Sequence, residues 1–243
     1  MNLYLKAIST LGTGSLHPGG FSHTLKVLKK LSLSPEDTVL EIGCGSGRTA
    51  CQIAKTFGTR VYALDNSEAM LNKAKIRARR EAAKIELVLG DALNLPFHDQ
   101  VFDLIFIESV LIFIPARAAL KECFRVLKRN GILVNVELIS NKSLPSSARE
   151  QLKSVCGLQQ IPKANDWRSY FESAGFTLVE VKQSRLPGIL EHIKEIFFYN
   201  DFQYPVPKNK IGRELKMTLF QYRKLIMQNY KHLGYGTFII KKG

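Results

Sequence analysis

The sequence predicts an α/β fold: a doubly wound, Rossmann-like sheet of seven strands, with a mostly helical insert before the last one. Three observations carry this. Continuous apolar runs such as TVLEI (38–42), RVYALD (60–65) and FDLIFIES (102–109) read as strands covered on both faces. Segments of helical character separate them and are long enough for parallel crossovers. Glycines and carboxylates gather where these strands end, the edge at which such sheets bind ligands.

Residues 1–20 read as a lead-in that closes on LHPGG. In 21–31, Phe21, Leu25, Leu28 and Leu31 share one helical face, and SLSPED breaks the helix. TVLEI is the first strand. GRTACQIAKTF (47–57) is a helix that stops near Gly58. RVYALD is the second strand, and Asn66 or Ser67 caps the helix SEAMLNKAKIRARREAA (67–83). IELVLGD (85–91) and FDLIFIES are the third and fourth strands. ARAALKECFRVLK (116–128) is a helix that stops at RNG, with Gly131 as its terminating residue. ILVNVEL (132–138) is the fifth strand.

Beyond Leu138 the pattern loosens. DWRSYFESAGF (166–176) is a short helix closed by Gly175, FTLVEVKQS (176–184) a sixth strand and YGTFIIKKG (235–243) a seventh. A hairpin between the last two needs only a few residues, yet the chain spends about fifty there. The expected organisation is a lead-in or flap at 1–20, a core at 21–184, a helical lid insert at 185–234 and a final core strand at 235–243.

The chain has 243 residues, 45% of them apolar and 23% charged, the mixture of a globular protein that buries a core. The longest apolar run, LIFIESVLIFIP, carries Glu108 in its middle, and none approaches the roughly 20 residues of a membrane helix. The opening MNLYLKAIST lacks the apolar stretch of a signal peptide, so a cytoplasmic location is expected. Cys44, Cys51, Cys123 and Cys156 lie far apart without a C-x-x-C pair, which argues against a disulfide framework or a zinc site. The net charge is +14, spread along the chain: 19 basic and 13 acidic residues up to residue 143, 16 and 8 after it. Such a field favours acidic partners or an anionic substrate.

The first strand runs into VLEIGCGSGR (39–48), which reads E-x-G-x-G-x-G through Glu41, Gly43, Gly45 and Gly47. A dinucleotide fingerprint, G-x-G-x-x-G, would place its third glycine on Arg48, so that pattern fails. Asp65 closes the second strand, where a carboxylate can accept both hydroxyls of a ribose, or can simply favour a helix entry. Asp91, in GDA, stands where it can meet an exocyclic amine, or can serve as a turn residue.

With VYALDNSEAML, LVLGDALNLPFHDQVFDLIFIESVL and ECFRVLKRNGILV, this segment resembles the class I S-adenosylmethionine-dependent methyltransferases, nearest in flavour to the ubiquinone and menaquinone branch acting on small molecules. The resemblance covers roughly residues 20–140 and thins beyond 180. It implies that Gly43, Cys44, Gly45 and Gly47 pass under the cofactor, with Glu41 at its methionine amino group. It also implies Asp65 on the ribose, Asn66 and Met70 beside the adenine, Asp91 on the adenine amine, and Ala92 at the ring through its backbone N–H. Glu108 and Ser109 would lie near the methionine and the transferred methyl. S-adenosylmethionine is then the cofactor and S-adenosylhomocysteine its product. Two departures stand out: RNG replaces the P-G-G turn before the fifth strand, and Glu108 replaces an Asn-Pro-Pro-Tyr motif.

Methyl transfer from a sulfonium is a direct displacement that asks mainly for alignment and exclusion of water. A base is needed only when the acceptor atom must lose a proton. Glu108, His17 and His192 are the candidates, while His23, His98 and His232 read as structural. For the substrate, one reading is a small molecule, anionic or aromatic and apolar, under a lid whose cluster Phe197, Phe198, Tyr199, Phe202 and Tyr204 walls the pocket. A second is RNA or protein, drawn by Lys73, Lys75, Arg77, Arg79, Arg80 and Lys84 on one helix, which equally fits a solvated basic face. A third is a cofactor-binding protein without turnover.

Overall fold

Strand and helix alternate as the apolar runs require, and the sheet they build sets the site. A computed structural model describes residues 2–11, 17–141, 143–188 and 212–243. In chain order these form α1 (Leu3–Leu11), α2 (Gly20–Leu28), β1 (Thr38–Ile42), α3 (Arg48–Phe57), β2 (Arg60–Asp65), α4 (Glu68–Arg80) and β3 (Ile85–Leu89). Then follow β4 (Phe102–Glu108), α5 (Ala116–Val126), β5 (Leu127–Ser140), α6 (Ser146–Cys156), α7 (Ala164–Ser173), β6 (Phe176–Arg185), α8 (Arg213–Gln228) and β7 (Leu233–Lys242).

The seven strands form one sheet in the order β3-β2-β1-β4-β5-β7-β6. β1 to β5 pair in parallel, and β7 runs antiparallel to both β5 and β6. Alternate residues feed two apolar layers. Leu40, Ile42, Ile105 and Ile107 pack on one side with α5, α6 and α7 residues such as Leu120, Leu152 and Trp167. Val39, Ala63, Leu104 and Phe106 pack on the other with Ala50 and Ile53 of α3 and Leu71 of α4. The central strands β1 and β4 are covered on both faces, which is why their runs are mostly apolar.

Several boundaries differ from the sequence reading. α5 stops at Val126, and Asn130 (φ 62°), not Gly131, takes the left-handed turn inside the long strand β5. β3 ends at Leu89, so Asp91 lies in the turn beyond it, bridged to Asn94. Ser67, not Asn66, caps α4, its side chain accepting from Met70 N at 3.4 Å. The lead-in contains a helix, α1, and the loosened stretch after Leu138 contains another, α6. α1 packs on α8 through Tyr4 and Tyr222, ring centroids 4.6 Å apart. Lys73 of α4 donates to the carbonyls of Ser9 and Thr10 at the end of α1, where the last helical carbonyls lack internal partners. All four cysteines are free and buried. No helix among the described residues is long and apolar enough to cross a membrane.

Candidate functional site

The carboxyl ends of β1, β2 and β4 open into a cavity of about 730 Å³, within the range of roughly 300–1,000 Å³ found for ligand pockets. Its floor is the glycine turn. Gly43 N and Cys44 N donate to Leu64 O at 2.8 and 3.0 Å, folding the turn onto β2. Gly43 sits at φ 72°, and a Cβ there would lie 2.3 Å from Val110 Cγ2. Only glycine fits that position, for both reasons. Gly45 N donates to Asp65 Oδ2 at 2.8 Å, and Ser67 N to Asp65 Oδ1 at 2.9 Å. Asp65 is therefore held between the turn and the start of α4; burial pushes its carboxyl up, and these backbone bonds pull it back.

Glu41, Gly43, Cys44, Gly45, Asp65, Asn66 and Met70 all line the cavity, as do Asp91, Ala92, Glu108, Ser109 and His17. Gly47 does not belong to that wall. It opens α3 at φ 76°, where a Cβ would meet Ala74 Cβ at 2.8 Å, so it serves the packing of α3 on α4. Asp91 Oδ1 accepts from Leu93 N at 2.9 Å, so the carboxylate both shapes its turn and faces the cavity. His192 and the cluster from Phe197 to Tyr204 lie outside the described residues.

Three carboxylates stand on neighbouring strands. Glu41 of β1 is buried, with Oε2 unpartnered; burial and then Glu108 push its carboxyl well up. Glu108 closes β4. It accepts from Thr24 Oγ1 at 2.8 Å and Thr49 Oγ1 at 3.1 Å, and His17 Nε2 lies 3.6 Å from Oε2. Thr24 Oγ1 also lies 3.2 Å from His17 Nε2, and His17 Nδ1 lies 3.3 Å from Pro18 O. Glu137 of β5 accepts from Val110 N at 2.9 Å and Leu111 N at 2.7 Å, fixing the segment after β4. Complete burial pushes Glu137 up to about 8. Ser109 holds a left-handed φ of 55°, and its buried Oγ has no partner.

Sequence reasoning missed several residues here. The sequence groups Arg77 with a basic helix face, yet it is buried; Nε donates to Ser46 O at 2.8 Å and NH1 to Glu81 at 3.0 Å. With Lys73 bound to α1, two of the six cations on that segment are engaged within the fold. Thr24 and Thr49, from two separate helices, meet only through the fold. Past the polar half, the cavity continues into an apolar chamber. Tyr4 and Ile8 of α1, Leu152 and Cys156 of α6, and Tyr222 and Ile226 of α8 wall it.

The polar half fits a nucleoside that carries an amino-acid group. The unpartnered Glu41 and Ser109 oxygens offer acceptors to an ammonium, and the turn at Gly43 and Gly45 allows close approach. Among the described residues no group of three or more His, Cys, Asp or Glu side chains could hold a metal ion.

Residues 40–135 match the family model described as "Methyltransferase domain". An uncharacterized methyltransferase of Bacillus subtilis strain 168, YodH, is 32% identical over 191 residues, covering 79% of this chain and 81% of that protein. The chain belongs to the class I S-adenosylmethionine-dependent methyltransferases. Its cofactor is S-adenosylmethionine. The demethylmenaquinone methyltransferase of Lactobacillus johnsonii is 40% identical over 111 residues, 44% of this chain and 46% of that one. Among solved structures, a Haemonchus contortus phosphoethanolamine N-methyltransferase 2 in complex with S-adenosyl-L-methionine shares the fold, with a TM-score of 0.72 at 20% identity over 99% of this chain and 56% of that one. The methyltransferase sheet thus carries the cavity at the edge expected from its strand order.

Proposed function

We propose that this methyltransferase acts on a small molecule with an apolar body, at an atom that gives up a proton to His17. The observation that carries the reading is the apolar chamber continuous with the polar half of the cavity. In this reading Glu41 and Ser109 hold the amino-acid end of the cofactor, Asp65 its ribose, and Asp91, Ala92, Asn66 and Met70 its adenine. Bound there, the cofactor supplies an electrophilic methyl group. The chamber orients the acceptor and excludes water.

Thr24 Oγ1 stands 3.2 Å and the Glu108 carboxylate 3.6 Å from Nε2 of His17, and the Pro18 carbonyl 3.3 Å from Nδ1, so both ring nitrogens face acceptors when the imidazole takes up the acceptor's proton. The imidazolium so formed donates to Thr24 Oγ1 and to the Pro18 carbonyl, beside the Glu108 carboxylate. Glu108 acts as the positioning residue. In this reading α1 belongs to a flap over the cavity and α8 to a lid, on a core whose final strand is β7. The RNA reading loses support because Arg77 and Lys73 are engaged within the fold.

The test is a partition. Purified protein is mixed with methyl-labelled S-adenosylmethionine and cell extract, then small molecules, RNA and protein are separated. Label among apolar small molecules supports the reading; label in RNA or protein overturns it. With the labelled acceptor in hand, His17→Gln should lower kcat at least about a hundredfold at unchanged cofactor affinity. Full activity in that variant would remove His17 from the chemistry.

A further inference from the structure

The helix that walls the apolar chamber has an outer face of its own. α8 turns Tyr222 and Ile226 to the cavity and buries Thr218 and Leu225. At 3.6 residues per turn, Arg213, Met217, Phe220, Lys224 and Met227 fall on the opposite side, flanked by Lys216 and Arg223. Met217 is 52% exposed, Phe220 69% and Met227 57%. Glu214, the helix's single acidic residue, lies off this stripe. Three large apolar side chains thus stand in water, interleaved with four cations.

A merely solvated face has no use for an exposed phenylalanine between two methionines. Phosphate contacts alone would use the cations and leave the methionines without a role. Apolar side chains set among lysines and arginines along one side of a helix suit the boundary between headgroups and acyl chains. The net charge of +14 complements an anionic leaflet. We propose that α8 docks the enzyme on an anionic lipid surface. Met217, Phe220 and Met227 enter the acyl boundary, and Arg213, Lys216, Arg223 and Lys224 meet the headgroups. The helix lies on the membrane and does not span it. Its two faces would then place the acceptor chamber directly behind the docked surface. That supply of an apolar acceptor rests on the function proposed above; the docking itself does not.

Sedimentation of the full chain with vesicles tests it. Binding is expected to vesicles containing about one-third phosphatidylglycerol, not to pure phosphatidylcholine, and should weaken as salt rises. The double variant Phe220→Glu/Met227→Glu should lose about tenfold or more of this binding. Both positions are exposed, so its melting temperature should hold; if it falls, Lys216→Glu/Lys224→Glu reads the same face. Absent binding of the wild type to anionic vesicles, or undiminished binding of the variants, overturns the proposal. So does single-stranded RNA that displaces the protein from vesicles and loses its own affinity in the Phe220→Glu/Met227→Glu variant. Methyl transfer to an acceptor presented in solution should be unchanged in that variant, so a failed docking surface and a failed acceptor assignment read separately.

Discussion

Arg77 Nε donates to the carbonyl of Ser46 at 2.8 Å, from a side chain almost wholly buried beneath the glycine turn. A guanidinium from α4 thereby sets the height of the cavity floor. Arg77→Ala should destabilise the protein by about 3 kcal/mol, since it leaves buried acceptors unpaired. Affinity for S-adenosylhomocysteine should fall about tenfold with it. Arg77→Lys keeps the charge but cannot reproduce the fork, so it should recover only part of either loss. Denaturant unfolding and calorimetric titration check both.

Glu41 has one oxygen aimed at nothing within the fold. Glu41→Gln preserves its shape and replaces a carboxyl whose ionisation burial and Glu108 oppose, so stability should hold or rise. Binding of S-adenosylhomocysteine should weaken between about tenfold and a hundredfold, the worth of a charge-assisted hydrogen bond. Unchanged titration curves would take Glu41 out of the cofactor set.

Gly43 combines a left-handed backbone with a neighbour 2.3 Å from where a Cβ would stand. Gly43→Ala should cost about 2–4 kcal/mol through strain and displacement of Val110. Gly58 has a similar φ of 69° but open space around it. Gly58→Ala should therefore cost only about 1 kcal/mol. Paired melting curves separate steric from backbone effects.

Glu137 titrates in the fold at about 8, against a usual value of 4.5, because of burial. Its raised value means that the fold binds the proton more tightly than the unfolded chain does. The stabilisation from neutral Glu137 is complete below 4.5 and is lost as pH rises to 8. The wild type should lose stability relative to Glu137→Gln across that interval, by a few kcal/mol at most, roughly. Parallel slopes for the two proteins in pH-dependent unfolding would contradict this.

The centre of the sheet was legible because its strands are covered on both faces, so VLEI and LIFI announce themselves without neighbours, while the edge strands β3 and β6 keep exposed positions. The carboxylates were legible because they follow such runs directly. Arg77 was not: a cation on a helix among cations looks solvated until the turn it supports is in place. Thr24 and Thr49 meet Glu108 across 84 and 59 positions of chain, a relation that no local spacing encodes. α1 has Asn2 as its cap, the side chain accepting from Tyr4 N at 2.7 Å, but no charge signal at either end, so its role as a wall appears only against α8. α6 did leave a trace, since Ala148, Leu152 and Cys156 recur every fourth residue.

β7 fills an interior place in the sheet, between β5 and β6, although it comes last among the strands in the chain. During synthesis, β5 and β6 must each wait with a row of free N–H and C=O groups until residues 233–242 emerge. Until then the nascent protein exposes two open seams that could zip onto another chain. Early removal of this strand would leave the cofactor half of the sheet paired as before and turn its other end into a template for aggregation.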